Sequence, residues 1–154
     1  MIVQLPSPDS LAWSAGRSHD GPALAELRAL VLRASLERVG RFDEVRVRQR
    51  FLASYVPGDT QVLRRADEVV GSLALRTAAA GTWIEHFYLH PSLQGRGSGS
   101  AILRAVTSVA DATATTLHLD VLRGSDARRL YERHGFALDR EEAVDIYLQR
   151  PPAS

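Results

Sequence analysis

The run Gln94-Gly95-Arg96-Gly97-Ser98-Gly99 sets three glycines at alternate positions between two segments of different period. Residues 83–89, before it, are rich in aromatic and aliphatic side chains and are closed off by Pro91, as a central strand would be. After it, Ile102, Leu103, Val106, Val109 and Ala110 recur at helical spacing to about residue 111. Strand, glycine loop and helix in succession demand a sheet with helices packed on it, so the fold class is α/β. Alternating glycines let the backbone curl so that several N–H groups point inward, and the helix adds its unsatisfied amides and positive dipole end. That geometry suits a pyrophosphate, with Arg96 as a charged contact. The same residues also make a plain strand-to-helix turn, so the glycines alone leave both readings open.

The remaining segments extend this unit to the order β-α-α-β-β-β-α-β-α-β-β. Residues 1–9 read as a lead-in and 11–17 as a short strand. Asp20 reads as the N-cap of a helix over about 21–38, with Pro22 in its first turn and Leu24, Leu27, Val31 and Ala34 on one face. Gly40 stops it, and Asp43 caps a second helix running to about Tyr55, ahead of Pro57 and Gly58. Residues 60–65 and 69–77 form a hairpin joined near Asp67 and Glu68. Residues 116–122 are a strand, 127–134 a helix closed by Gly135, and Leu138 with 144–148 completes a mixed, mostly antiparallel sheet flanked by helices. No repeat or linker interrupts the 154 residues, which read as one domain able to bury a core without a covalent staple.

Composition narrows the chemistry. The chain has no Cys, which removes disulfides, thiolate metal sites and a Cys nucleophile. It has no Lys either, all 19 basic residues being Arg, which removes the phosphate-loop lysine and Schiff-base chemistry. A net charge of +1 gives no broad attraction to nucleic acid or to a membrane surface. No apolar run is long enough to span a bilayer, and residues 1–10 do not read as a signal peptide, so a cytoplasmic location is expected. The histidines show no ligand spacing, so no metal is expected; Trp13, Trp83 and His118 read as packing residues.

Two phosphate-bearing ligands compete for the loop. A dinucleotide would use Gly97 and Gly99, with Asp120 on the next strand for the ribose, but Ile102 stands at the third glycine position and about fifty residues follow. The other ligand is coenzyme A. Leu89-His90-Pro91-Ser92-Leu93-Gln94-Gly95-Arg96-Gly97-Ser98-Gly99 resembles the pattern V-x-P-x-x-[QR]-x-x-G-x-[GA] of the GNAT superfamily of N-acetyltransferases. Leu130-Tyr131-Glu132-Arg133-His134-Gly135-Phe136 is similar to its second signature, L-Y-x-x-x-G-F. The resemblance covers about residues 70–150 and fades over 1–65. One position departs: Gly124 stands where the family often has Asn, leaving Ser125 or Asp126 to cap the following helix.

The resemblance implies the acyl-CoA N-acyltransferase fold, acetyl-CoA as co-substrate and direct transfer to a primary amine of a small molecule or peptide. It implies that backbone amides from Gln94, Gly95, Arg96, Gly97, Ser98, Gly99 and Ser100 hold the pyrophosphate. Phe87, Tyr88 and Leu89 would pair with the pantetheine amides as an added strand does, and a strand N–H would polarise the thioester. Tyr131 corresponds to the family's general acid. As base or as anchor of the substrate amine, Glu85 is favoured, a carboxylate within an aromatic strand, ahead of His86 or a water chain. Strict alternation puts Glu85, Phe87 and Leu89 on one face and His86, Tyr88 and His90 on the other. Residues of about 20–56 would wall the acceptor site; Arg46 and Arg50, one helical turn apart, suit a carboxylate or phosphate there, or are a solvated face. Homodimers are frequent in the family, so a second copy is among the expected partners. The competing functions are a protein N-terminal or lysine acetyltransferase and a non-catalytic acyl-CoA-binding module.

Overall fold

Leu63, Leu73, Ile84, Leu89, Leu117, Leu119, Ile146 and Leu148 are buried in one cluster with Ile102, Leu103 and Val106, so one face of a sheet is sealed by a single amphipathic helix. The computed structural model describes residues 1–8 and 10–154, and residue 9 of the expected lead-in lies outside them. The elements are β1 (Ala12–Ala15), α1 (Gly21–Arg38), α2 (Glu44–Ser54), β2 (Thr60–Arg65), β3 (Glu68–Ala78), β4 (Gly81–Leu89), α3 (Ser98–Ala112), β5 (Leu117–Leu122), α4 (Ala127–Arg133), β6 (Ala137–Glu141) and β7 (Asp145–Arg150). The order is the one expected. Among the described residues the sheet has seven strands, ordered β1-β2-β3-β4-β5-β7-β6. Every neighbouring pair is antiparallel except β4 with β5. The opposite face is covered by α1 and α2 through Leu24, Leu27, Phe51, Val62 and Tyr88.

Local chemistry accounts for most boundaries. The Asp43 carboxylate accepts from the Val45 and Arg46 amides and starts α2. Ser125, the expected substitute for the missing Asn, accepts from the Ala127 amide and starts α4. Asp20 departs from its expected role. Its side chain makes no cap bond to α1. It accepts instead from the Arg17 amide at 2.8 Å and from both terminal nitrogens of Arg64 at 3.0 and 2.7 Å. A buried carboxylate satisfied by a guanidinium fork is worth more there than a cap, and it ties the start of α1 to β2. The hydrogen bonds to Arg64 hold its pKa below the usual carboxylate value.

Two irregularities position the site. First, β4 and β5 pair only at Thr82–Leu117 and Trp83–His118. Beyond Trp83 the β5-facing edge of β4 has no ladder partner, and the strands diverge. Second, β4 carries a bulge. Glu85 opposes Ala74 and Tyr88 opposes Ser72, so His86 and Phe87 together face Leu73. His86 takes a positive φ of 48° to do so. The buried Ser72 hydroxyl donates to the His86 carbonyl at 2.6 Å and secures it. This corrects the alternation expected for the strand. Glu85 and Tyr88 share the face toward α1 and α2, while Ile84 and Leu89 point to α3. One extra residue shifts the period-two pattern, and sequence spacing carries no mark of it.

Candidate active site

The divergence of β4 and β5 opens a cavity of about 530 Å³ lined by Phe87, Tyr88, Leu89, Gln94, Gly95, Gly97, Gly99, Ser100, Leu130 and Tyr131, with Arg38 and Arg133 at its wall. Gly97 ends the loop at φ 79°, a left-handed conformation that an L side chain adopts only at a cost. A Cβ there would meet nothing within 4 Å, so the conformation and not the space requires glycine. No side chain caps α3. Its first amides are left to whatever anion enters the cavity. The Gln94 side-chain amide donates to the Leu89 carbonyl at 2.9 Å and folds the loop back on the end of β4. Arg96 is exposed, and neither Arg96 nor Ser98 lines the cavity.

The two sequence signatures, some thirty residues apart, are in contact. A Cβ at Gly99 would lie 3.3 Å from the Leu130 side chain, a close approach between the two motifs. The Ser100 hydroxyl meets His134 Nε2 at 3.1 Å. Tyr131 is buried, with its ring edge-on to Phe136 at 5.6 Å. Its hydroxyl has no hydrogen-bond partner among the described residues, yet it is not a sealed, unsatisfied group, so it is open to the cavity. Burial, and then the proximity of Tyr88 and Asp120, push its pKa well above that of a free phenol. Tyr131 therefore holds its proton at neutral pH.

A second cavity of about 320 Å³ shares Phe87, Tyr88 and Tyr131 with the first and continues toward α1 and α2. Glu85 and His86 both line it. The Glu85 carboxylate is ion-paired with Arg76 at 2.7 Å, and that guanidinium lies over the Trp83 ring. His86 is packed edge-on against Phe51 at 4.7 Å, with Nε2 3.1 Å from the Ser54 hydroxyl. Burial lowers its pKa, keeping the ring neutral. Tyr88 turns its hydroxyl to Arg28, which donates at 3.2 Å.

Asp120 also lines the second cavity, although the sequence reading gave it no part in acetyl transfer. It lies on β5 opposite Tyr147 and is exposed to solvent where it lines that cavity. Partial desolvation by the cavity walls, reinforced by the Asp145 and Glu85 carboxylates, raises its pKa above the ordinary carboxylate value. A signal was present: it is a lone carboxylate inside Leu117-His118-Leu119-Asp120-Val121-Leu122, the argument already applied to Glu85. His118 and Trp83 are packing residues as expected, stacked at 5.2 Å, with His118 Nε2 3.0 Å from the Ala80 carbonyl. Among the described residues no cluster of His, Asp and Glu could hold a metal, and no helix is long and apolar enough to cross a membrane.

Comparison with known proteins agrees with this architecture. The structure superposes on the PaiA N-acetyltransferase of Thermoplasma acidophilum, solved in complex with coenzyme A, with a TM-score of 0.71 at 14% identity, covering 92% of this chain and 99% of that one. It superposes on an acetyltransferase from Thermus thermophilus with a TM-score of 0.68 at 18% identity, covering 92% and 97%. For the ribosomal-protein-S18-alanine N-acetyltransferase of Escherichia coli the values are 0.66 and 16%, covering 94% and 95%. At these identities the likeness is one of fold. No curated protein matches the sequence. The profile of the acetyltransferase (GNAT) domain matches residues 57–138, more than half of the chain, so the protein belongs to the GNAT acetyltransferase family.

Proposed function

We propose that the protein is an N-acetyltransferase that moves the acetyl group of acetyl-CoA directly to a primary amine of a small molecule. The observation that carries this reading is the unpartnered Tyr131 hydroxyl at the junction of two cavities, one ending on the uncapped glycine loop and the other holding carboxylates. Residues of about 70–150 form the cofactor core, and about 20–56 wall the acceptor side. The amides of residues 94–100 take the pyrophosphate. The unpaired edge of β4 at Phe87, Tyr88 and Leu89 takes the pantetheine as an added strand.

Asp120 accepts the proton that the ammonium must lose before nitrogen can attack, a task its raised pKa suits better than an ordinary carboxylate. Glu85, fixed by Arg76, anchors the amine. The new bond joins amine nitrogen to the acetyl carbon, the carbon–sulfur bond breaks, and Tyr131 gives its proton to the departing sulfur; the second proton shed by the nitrogen restores the Tyr131 phenol by way of water, leaving amide and free thiol. The absence of Cys leaves direct attack rather than an acetyl-cysteine relay.

Calorimetric titration with acetyl-CoA, and with NAD in parallel, tests the cofactor. Micromolar binding of acetyl-CoA alone is expected; binding of NAD alone overturns the reading. Turnover is then followed as thiol release over an amine panel. Tyr131→Phe is expected to lower kcat about 100-fold, within the usual range for a general acid, with the acetyl-CoA Kd nearly unchanged. Equal kcat removes Tyr131 from the mechanism.

A further inference from the structure

Behind the carboxylate cavity lies a third, of about 220 Å³, lined by Arg28, Arg41, Arg46 and Arg50 with Leu36, Val47, Leu122, Val144 and Asp145. It adjoins the carboxylate cavity, the two having Arg28, Leu36, Arg50, Leu122 and Asp145 in common in their walls. Four guanidinium groups around so small a space would ordinarily be offset by carboxylates. On the same two helices Arg33 and Arg48 are offset in this way, while Arg38 donates to the Gly124 carbonyl. Arg33 pairs with Glu37 at 2.7 Å and with Glu44 at 3.6 Å, and Arg48 pairs with Glu26 at 2.9 Å. The arginines that line the cavity differ. Arg28 donates to the Tyr88 hydroxyl and the Val47 carbonyl, neither of them charged. The side chains of Arg41, Arg46 and Arg50 have no ion-pair or hydrogen-bond partner among the described residues. Asp145, the one acid in the wall, is within 4 Å of none of them.

Arg28 links the two regions. It lines both cavities, and its charge is felt at Asp120, where it opposes the rise in pKa. Two adjoining cavities therefore present carboxylates in one and arginines without charged partners in the other.

We propose that the acceptor is a small amine carrying an oxyanion, a carboxylate or a phosphoryl group, whose anionic end is held by Arg28, Arg41, Arg46 and Arg50 while its amine lies at Asp120 and Glu85. The assignment rests on the acetyltransferase reading for its chemistry, but the anion site can be tested without turnover. Both anions match the guanidinium fork. The small volume and the closing wall of Leu122, Val144 and Asp145 favour a small molecule over a polypeptide.

The test uses matched probes on the full-length protein, by calorimetry and by thiol release with acetyl-CoA. 2-Aminoethyl phosphate is set against ethanolamine, and 4-aminobutyrate against 4-aminobutanamide, so the two arms separate phosphoryl from carboxylate. The anionic member of at least one pair is expected to bind and turn over about tenfold or more better, the scale of one charge-assisted contact. The double substitution Arg46→Gln with Arg50→Gln is expected to erase that preference while the acetyl-CoA Kd is kept. Arg48→Gln, on the same helix but paired with Glu26, is expected to leave the preference intact. Anion binding lost in the double variant supports the site even if no probe is acetylated. Equal handling of charged and neutral probes, an equal loss in Arg48→Gln, or a preference confined to an acidic peptide overturns it.

Discussion

At the scale of single residues, the carboxylates lining the second cavity differ because their partners differ. Glu85 is held by a guanidinium, whereas Asp120, though open to solvent, has partial desolvation and two like charges around it, opposed by Arg28 and a backbone hydrogen bond. Desolvation and like charge both disfavour the ionised form, so Asp120 releases its proton at a higher pH than an ordinary carboxylate. The sign of its effect on rate follows. The acidic limb of the kcat/KM profile should report Asp120 deprotonation, with activity rising as pH rises through its raised pKa. Asp145→Asn removes one neighbouring negative charge, lowers the Asp120 pKa and should move that limb to lower pH. Asp120→Asn should abolish the limb along with most turnover. A limb unmoved by Asp145→Asn would assign the base elsewhere. Sequence reasoning reached Glu85 because it interrupts an aromatic strand. It placed Asp120 only in a rejected dinucleotide reading, because a strand pattern does not show that β5 diverges from β4 and leaves this carboxylate on a cavity.

At the scale of elements, the loop before α3 works through backbone geometry. Gly97 sits in left-handed space with nothing within 4 Å of where a Cβ would be. Gly97→Val therefore meets no clash with the protein itself. Forcing a β-branched residue to that φ costs about 1–2 kcal/mol. Relief of that strain by loop rearrangement should weaken acetyl-CoA binding about tenfold, with little change in the folded far-ultraviolet spectrum. Retained affinity would show that the loop amides do not need this conformation. The motif and its helix were plain in the sequence, since glycine spacing and helical period are local properties. The β4 bulge was not, because it depends on Ser72 from the neighbouring strand donating to the His86 carbonyl. That one contact decides which face Glu85 joins.

For the whole molecule, the last strand is tied to the cofactor helix by a single clasp. Arg150 on β7 donates to both Asp111 oxygens at 2.7 and 3.1 Å, and the Ala153 amide donates to the same carboxylate at 2.8 Å. The bond from Arg150, and then the Ala153 amide, lower the Asp111 pKa to about 2. A carboxylate depressed by folding stabilises the native state above its unfolded pKa of 3.8 and loses that contribution as pH falls toward about 2. The melting temperature should therefore drop across that interval. Asp111→Asn should lower it at neutral pH and flatten its dependence below pH 4. An unchanged acid profile in the variant would mean that the clasp contributes nothing. The element order, the two signatures and the placement of Tyr131 were legible in the chain, because each rests on local period, capping or glycine chemistry. The tertiary structure decided the divergence of β4 and β5, the face to which the bulge turns Glu85, the raised pKa of Asp120 and which arginines find a charged partner. Each of those depends on what a residue distant in sequence supplies, a strand partner, a buried neighbour or a counter-charge, and no spacing along one chain encodes that.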